Sequence, residues 1–255
     1  STTLTVSNCL SAGEVQYQAT TTDGTANSNT TVYGLIGGSL TGSPVIQYTY
    51  AVEQDNLSYF YSGKTNSTYT LEKTAIYGMN AMEQMPGLFV STDANGNNKT
   101  YWMVTDKTPI LKDFAKHAEE GDLSLEVDTS WYDGSKNYVL SDVSDLYGFA
   151  VLSRMKDFSG ETVKLDKDIA IQNSGNAEDW STSAPIFGWL SIGTADVKFN
   201  GTFDGQGYEI AKVYLKTSES EKGLFGHTNT SATVKNVRLV NSYFESTGGD
   251  VGSII

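Results

Sequence analysis

The chain has one cysteine, four prolines and two histidines among 255 residues, with Arg154 and Arg238 its two arginines. Each scarcity closes off a class of protein. Cys9 cannot form an internal disulfide, so burial and backbone ladders must hold the fold. With no histidine or basic residue near it in sequence, Cys9 is expected as a small buried apolar side chain rather than a reactive thiol. Four prolines exclude collagen-like and polyproline architectures. The 17 basic residues stand against 30 acidic ones, a net charge of −13, which argues against a nucleic acid partner because phosphate backbones select Lys and Arg. No apolar run approaches the roughly 20 residues that cross a bilayer, so membrane insertion is not expected. Charged residues make up 18%, below the roughly 25% of ordinary domains, which disfavours coiled coil and charged disorder. No charged-then-apolar leader follows Ser1, and the chain reads as a mature or excised segment.

Thr, Ser, Asn, Gly and Tyr fill the space instead, a mix that suits a β-rich extracellular protein with many turns. An internal repeat organises it. Gly34-Leu35-Ile36-Gly37 resembles Gly223-Leu224-Phe225-Gly226, and Gly252-Ser253-Ile254-Ile255 starts a third copy after a period of about 29 residues. Strand-like segments recur with them: Thr5-Val6-Ser7-Asn8-Cys9, Val45-Ile46-Gln47-Tyr48 and Thr233-Val234-Lys235-Asn236-Val237. A period of this size with β-branched strands predicts a solenoid of stacked parallel strands, each turn burying its apolar face on its neighbours.

Helical spacing appears twice. One helix is expected from about Leu71 to Met85, stopping at Pro86-Gly87; the other follows Ser141 or Asp142 as N-cap, through Val143, Leu146, Phe149, Ala150 and Leu152 toward Gly160. Both read as covers over end turns of the solenoid. The acidic stretch from His117 to Asp122, leading to Trp131-Tyr132, reads as a linker. The expected organisation is a half with an exit cap (1–116), a linker (117–142) and a half with an entry cap (143–255).

The Gly-Leu-x-Gly copies at Gly34 and Gly223 resemble the GLUG motif of surface proteins of gut bacteria. The run Asp145–Ala150, the segment Phe158-Ser159-Gly160-Glu161-Thr162-Val163 and the stretch Phe199-Asn200-Gly201-Thr202-Phe203-Asp204-Gly205 are similar to the same family, as is Thr108-Pro109-Ile110-Leu111-Lys112 to its closing segment. The resemblance implies an all-β fold, a right-handed parallel β-helix with short helical end caps, on the bacterial cell surface or secreted, and no established catalytic residues. The order departs from the family, with the exit cap first. The two halves are therefore expected either to complete one β-helix or to pair head to tail between molecules through open coil ends.

Catalytic chemistry finds few candidates. Asp204, in an Asp-Gly pair, reads as a turn residue rather than a catalytic carboxylate, and His227 as an exposed loop side chain. Ser62-Gly63-Lys64-Thr65 lacks the upstream glycine of a phosphate-binding loop. Asp93-Ala94-Asn95-Gly96-Asn97 imitates a calcium loop but places its glycine at the fourth position, and an Asn-Gly turn accounts for it. No enzyme activity, cofactor or metal is expected. Six Asn-x-Ser/Thr sequons, beginning with Asn29-Thr30-Thr31, reflect composition.

Aromatic residues offer binding chemistry. Tyr48 and Tyr50 alternate in one strand, Tyr59-Phe60-Tyr61 follows, and Tyr69 lies beyond; exposed tyrosines supply stiff, amphipathic contact area for protein or sugar ligands. These six are the candidate ligand-binding residues, with ordinary stacking inside the fold as the rival account; Trp131 and Tyr132 read as packing anchors. The expected function is a non-catalytic adhesion module of a large surface protein, recognising a host protein or glycoprotein, immunoglobulin among them. A structural stalk or self-assembling unit is the alternative, and a polysaccharide-active enzyme ranks third.

Overall fold

The structure is a computed structural model, and it describes residues 5–12, 32–36, 45–52, 57–60, 68–71, 76–113 and 124–255. The chain divides into two compact units, Ser1–Ile76 and Tyr77–Ile255.

The first unit holds β1 (Thr5–Ser11), β2 (Val32–Ile36), β3 (Val45–Val52), β4 (Leu57–Phe60) and β5 (Thr68–Leu71). They form two parallel sheets, β1-β3-β5 and β2-β4. Ile46, Thr49, Tyr50, Ala51 and Val52 are buried in the central strand β3. Asn8 in β1 and Tyr48 in β3 both adopt left-handed backbone, φ 53° and 46°. An asparagine tolerates that conformation, whereas it strains a tyrosine, so both strands bend at the same place in the register.

In the second unit α1 (Met79–Gln84) gives way at Met85 to α2 (Pro86–Phe89), where proline sits at the helix start because its missing N–H is not needed there. Two short antiparallel sheets follow, built from β6 (Ser91–Thr92) with β7 (Asn98–Lys99), and from β8 (Trp102–Thr105) between β9 (Ile110–Leu111) and β10 (Ser124–Leu125). The turn joining β6 to β7 is the Asp93–Asn97 loop: Asp93 Oδ1 accepts from the N–H groups of Asn95 and Asn97, and Gly96 takes φ 84°.

Next come β11 (Asn137–Leu140) and α3 (Val143–Leu152). The Asp142 carboxylate accepts from the backbone N–H groups of Ser144 and Asp145, an N-cap worth about 1 kcal/mol. The helix is buried along nearly its whole length, from Asp145 to Leu152. The remaining strands are β12 (Thr162–Leu165), β13 (Ile169–Ala170), β14 (Thr202–Asp204), β15 (Glu209–Ala211), β16 (Tyr214–Thr217), β17 (Thr233–Lys235), β18 (Arg238–Val240) and β19 (Tyr243–Ser246). They pair parallel as β11-β12-β14-β17, β13-β15-β18 and β16-β19. Like sits on like in this register: Thr202 on Thr233, Ile210 on Leu239, Tyr214 on Tyr243. The Gly-Leu-x-Gly copy stacks in the same way, with Phe225 N–H donating to Ile254 O and Ile192 N–H to Leu224 O.

The core centres on Phe149 of α3, ringed by Phe158, Phe199, Phe203 and Phe225. Trp131 and Tyr132 pack onto its edge, with the Trp131 ring N–H donating to Asp128 O and the Tyr132 hydroxyl to Glu161. Residues 124–142, expected as a linker, carry β10 and β11.

The expectation of an all-β, right-handed parallel β-helix closed by helical caps is corrected. Among the described residues the chain is mixed, with α1, α2 and α3 beside several small sheets of both parallel and antiparallel sense. The physical reason lies in residues 77–125. There an Asn-Gly turn closes a hairpin, β8 pairs antiparallel on both sides, and α1 and α2 bury Ala81, Met82, Leu88 and Phe89 in the core. Cys9 is also corrected: it is exposed, and its thiol donates to Ser7 O.

Candidate binding cleft

Unit Tyr77–Ile255 carries a cleft of about 480 Å³. α1 supplies Glu83 to one wall, and the segment just past α3 supplies Arg154. Trp189 and Ser191 line the floor, while Tyr214 and Lys216 of β16 and the turn carrying Glu219 and Lys222 form the far side.

Arg154 is the anchor. Its side chain is 5% exposed. Nη1 donates to Ala150 O at 3.1 Å, which stops the end of α3, and to Ser191 O at 3.0 Å on the cleft floor. Nη2 lies 3.6 Å from Glu83 Oε1, while Nε is buried with no hydrogen-bond partner. Burial pulls the guanidinium below its ordinary value and Glu83 opposes the shift; arginine starts so high that it stays charged. Lys222 Nζ reaches Glu219 at 2.7 Å and the same Glu83 oxygen at 3.8 Å. One carboxylate thus bridges two cations drawn from distant parts of the chain.

Lys216 pairs with Glu245 at 3.1 Å, and that hydrogen bond raises its affinity for its proton. Glu245 is in turn held below the usual carboxylate range by the Tyr243 hydroxyl and by Lys216. The aromatic wall is set by packing. The Trp189 ring N–H donates to Leu224 O and its ring lies 5.4 Å from that of Tyr147, while Tyr214 stacks on Tyr243 at 5.7 Å. Ile186 stands at the rim, 58% exposed. The result is a pocket of fixed polar and aromatic walls, of a size that takes a small ligand or one side chain of a partner.

None of the six sequence-derived tyrosine and phenylalanine candidates lines this cleft. Tyr50 is 2% exposed, so it is a core residue rather than a surface contact; its register partners are Leu10 and Tyr69. Tyr48 is half-buried at the bend of β3. Tyr59 and Phe60 lie in β4 and Tyr69 in β5, with side chains outside the described residues, and Tyr61 lies outside them altogether.

Asp204 is buried at a corner between rungs. It accepts from Asn236 Nδ2 at 2.9 Å and from Gln206 N–H at 3.0 Å, with Lys235 3.5 Å away; the Asn236 bond above all holds its carboxyl below the usual range. His227 is not an exposed loop side chain. It is 19% exposed, with Nε2 3.5 Å from Glu221.

No family model matches the chain, and no solved structure matches it. The chain is similar to halomucin of Haloquadratum walsbyi, 27% identical over 194 residues. That stretch covers 74% of the chain and 2% of the length of halomucin.

Proposed function

We propose that this chain is a non-catalytic binding module of a larger cell-surface or secreted bacterial protein, an adhesin-like element that takes up a protein or glycoprotein partner in the cleft beside Arg154. The cleft carries the reading. In a chain of net charge −13, Arg154, Lys216 and Lys222 converge there with Glu83 and Glu219, and every one of these five is engaged in an ion pair. Groups locked in this way are suited to holding a polar ligand in one orientation rather than to passing protons. The Gly-Leu-x-Gly copies support a surface location through the proteins they resemble. The likeness to a small fraction of a much longer protein supports a modular one.

The test is retention of pooled immunoglobulin and of secreted mucin glycoproteins on the immobilised chain, beside a double variant Ile186→Asp, Lys216→Glu. Both side chains are substantially exposed, so the fold should survive. Retention by the native chain is expected to fall about tenfold or more in the variant, the scale of losing a central contact. Equal retention by both proteins removes the cleft from the account, and retention by neither removes the binding reading.

A further inference from the structure

We infer that the cleft beside Arg154 receives a neutral sugar residue of a glycoprotein. The inference rests on the binding reading above and narrows it to the part of the partner that enters.

The cleft carries charge on several walls and yet sums to zero. Three cations, Arg154, Lys216 and Lys222, face three carboxylates, Glu83, Glu219 and Glu245. Arg154 lies 3.6 Å from Glu83, Lys222 lies 3.8 Å from Glu83 and 2.7 Å from Glu219, and Lys216 lies 3.1 Å from Glu245. An anionic ligand would have to compete with carboxylates already seated on those cations, in a chain whose net charge of −13 repels it. A cationic ligand would have to displace Arg154 and Lys222, whose side chains are only 5% and 17% exposed. The third pair is equally fixed. Glu245 raises the affinity of Lys216 for its proton, while the Tyr243 hydroxyl and Lys216 keep the Glu245 carboxyl ionised.

Pairing of charge leaves hydrogen-bonding capacity to spare. An ammonium has three N–H donors and a carboxylate about four acceptor sites. Among the described residues Lys216 Nζ meets one partner, and both cations approach Glu83 through Oε1, which leaves Oε2 to a ligand. Ser218, exposed on the turn after β16, adds a hydroxyl to the lining. A sugar hydroxyl donates and accepts at once, so one hydroxyl between a lysine N–H and a carboxylate oxygen uses both and strengthens both bonds. A sugar ring offers several such hydroxyls with no net charge. A neutral side chain such as asparagine offers a single amide and would leave most of these groups unused.

The remaining lining is apolar and firmly held. Trp189 and Tyr214 are 6% and 7% exposed, and Pro185 and Ile186 stand beside them. Such a surface takes the C–H face of a sugar ring while its hydroxyls reach the polar walls. The Trp189 backbone N–H donates to Tyr214 O at 2.6 Å, and the Tyr147 hydroxyl donates to Gly188 O at 2.8 Å. The floor is therefore in place before a ligand arrives, which lowers the ordering cost of binding.

The test takes secreted mucin glycoproteins and pooled immunoglobulin as probes, each before and after glycan removal, on the immobilised chain. Retention is expected to fall about tenfold or more when all glycans are stripped, the scale of losing a central contact, and to stay within about twofold when sialidase and sulfatase remove acidic groups alone. Between about 0.05 and 0.5 M NaCl it is expected to hold within about twofold, because a neutral ligand leaves no net charge to screen. Neutral oligosaccharides released from the retained glycoprotein are expected to compete with it. Loss of retention on sialidase or sulfatase treatment, or with salt, overturns the neutral sugar in favour of an acidic one. Retention that survives full glycan removal overturns any sugar; where it still falls in the Ile186→Asp, Lys216→Glu variant, the cleft reading stands with a protein segment as occupant. Retention indifferent to that variant removes the cleft and the sugar site together, as does retention of neither probe.

Discussion

Phe149→Ala is expected to cost about 3–5 kcal/mol, a large share of the roughly 5–15 kcal/mol that holds a domain folded. Phe149 has no exposed surface. Its ring lies 5.0 Å from Phe158, 5.7 Å from Phe199 and 5.8 Å, stacked, from Phe203, with Trp131 and Phe225 slightly farther. Removing it opens a hole between α3 and the ladder of β11, β12, β14 and β17, which aromatic neighbours held by their own strands cannot collapse to fill. Urea unfolding read by tryptophan fluorescence measures the loss. Ile186→Ala at the exposed cleft rim is the control, expected within about 0.5 kcal/mol of the native chain. A Phe149→Ala midpoint indistinguishable from that control would mean α3 does not organise this core.

Gly148→Ala is expected to destabilise by about 3 kcal/mol or more, although helix propensity alone favours alanine by about 1 kcal/mol. The sign turns on one contact. A Cβ at Gly148 would stand 1.8 Å from the Asp128 carbonyl oxygen and 2.7 Å from its carbon, both backbone atoms that cannot rotate away. Gly96→Ala separates this clash from ordinary glycine strain. Gly96 has φ 84° with nothing near its missing Cβ, so only the conformational cost of about 1 kcal/mol applies. Thermal unfolding of the two variants should therefore differ by roughly 4–8 °C in midpoint. Equal midpoints would show that α3 does not approach the 128–131 turn so closely.

What the sequence carried well was local. Asp142 followed by apolar residues at helical spacing locates α3, because cap and burial pattern act on the same few residues. The copies at Gly223 and Gly252 stack, but their partner at Trp189-Leu190-Ser191-Ile192-Gly193 has no signature in the sequence, since it keeps the backbone path and not the Gly-Leu-x-Gly pattern. The segment before residue 116, expected to close a β-helix with an exit cap, does not follow the repeat. Residues 91–112 form antiparallel pairs whose one sequence signal, Asn95-Gly96, was read as a turn without the hairpin it closes. Tyr50 is buried beside half-buried Tyr48 because the left-handed bend at Tyr48 breaks the alternation along β3. The cleft had almost no linear signature. Glu83, Arg154, Ser191 and Lys222 meet through tertiary packing, and the one hint was an arginine in the apolar run Val151-Leu152-Ser153-Arg154-Met155.

Hydrogen–deuterium exchange on the chain with and without a retained immunoglobulin or mucin partner tests the binding account most directly. The account expects protection confined to the cleft segments, residues 79–84, 185–191 and 214–222. Protection centred instead on residues 45–71, with the cleft segments unchanged, would contradict it and return the binding face to the strand tyrosines.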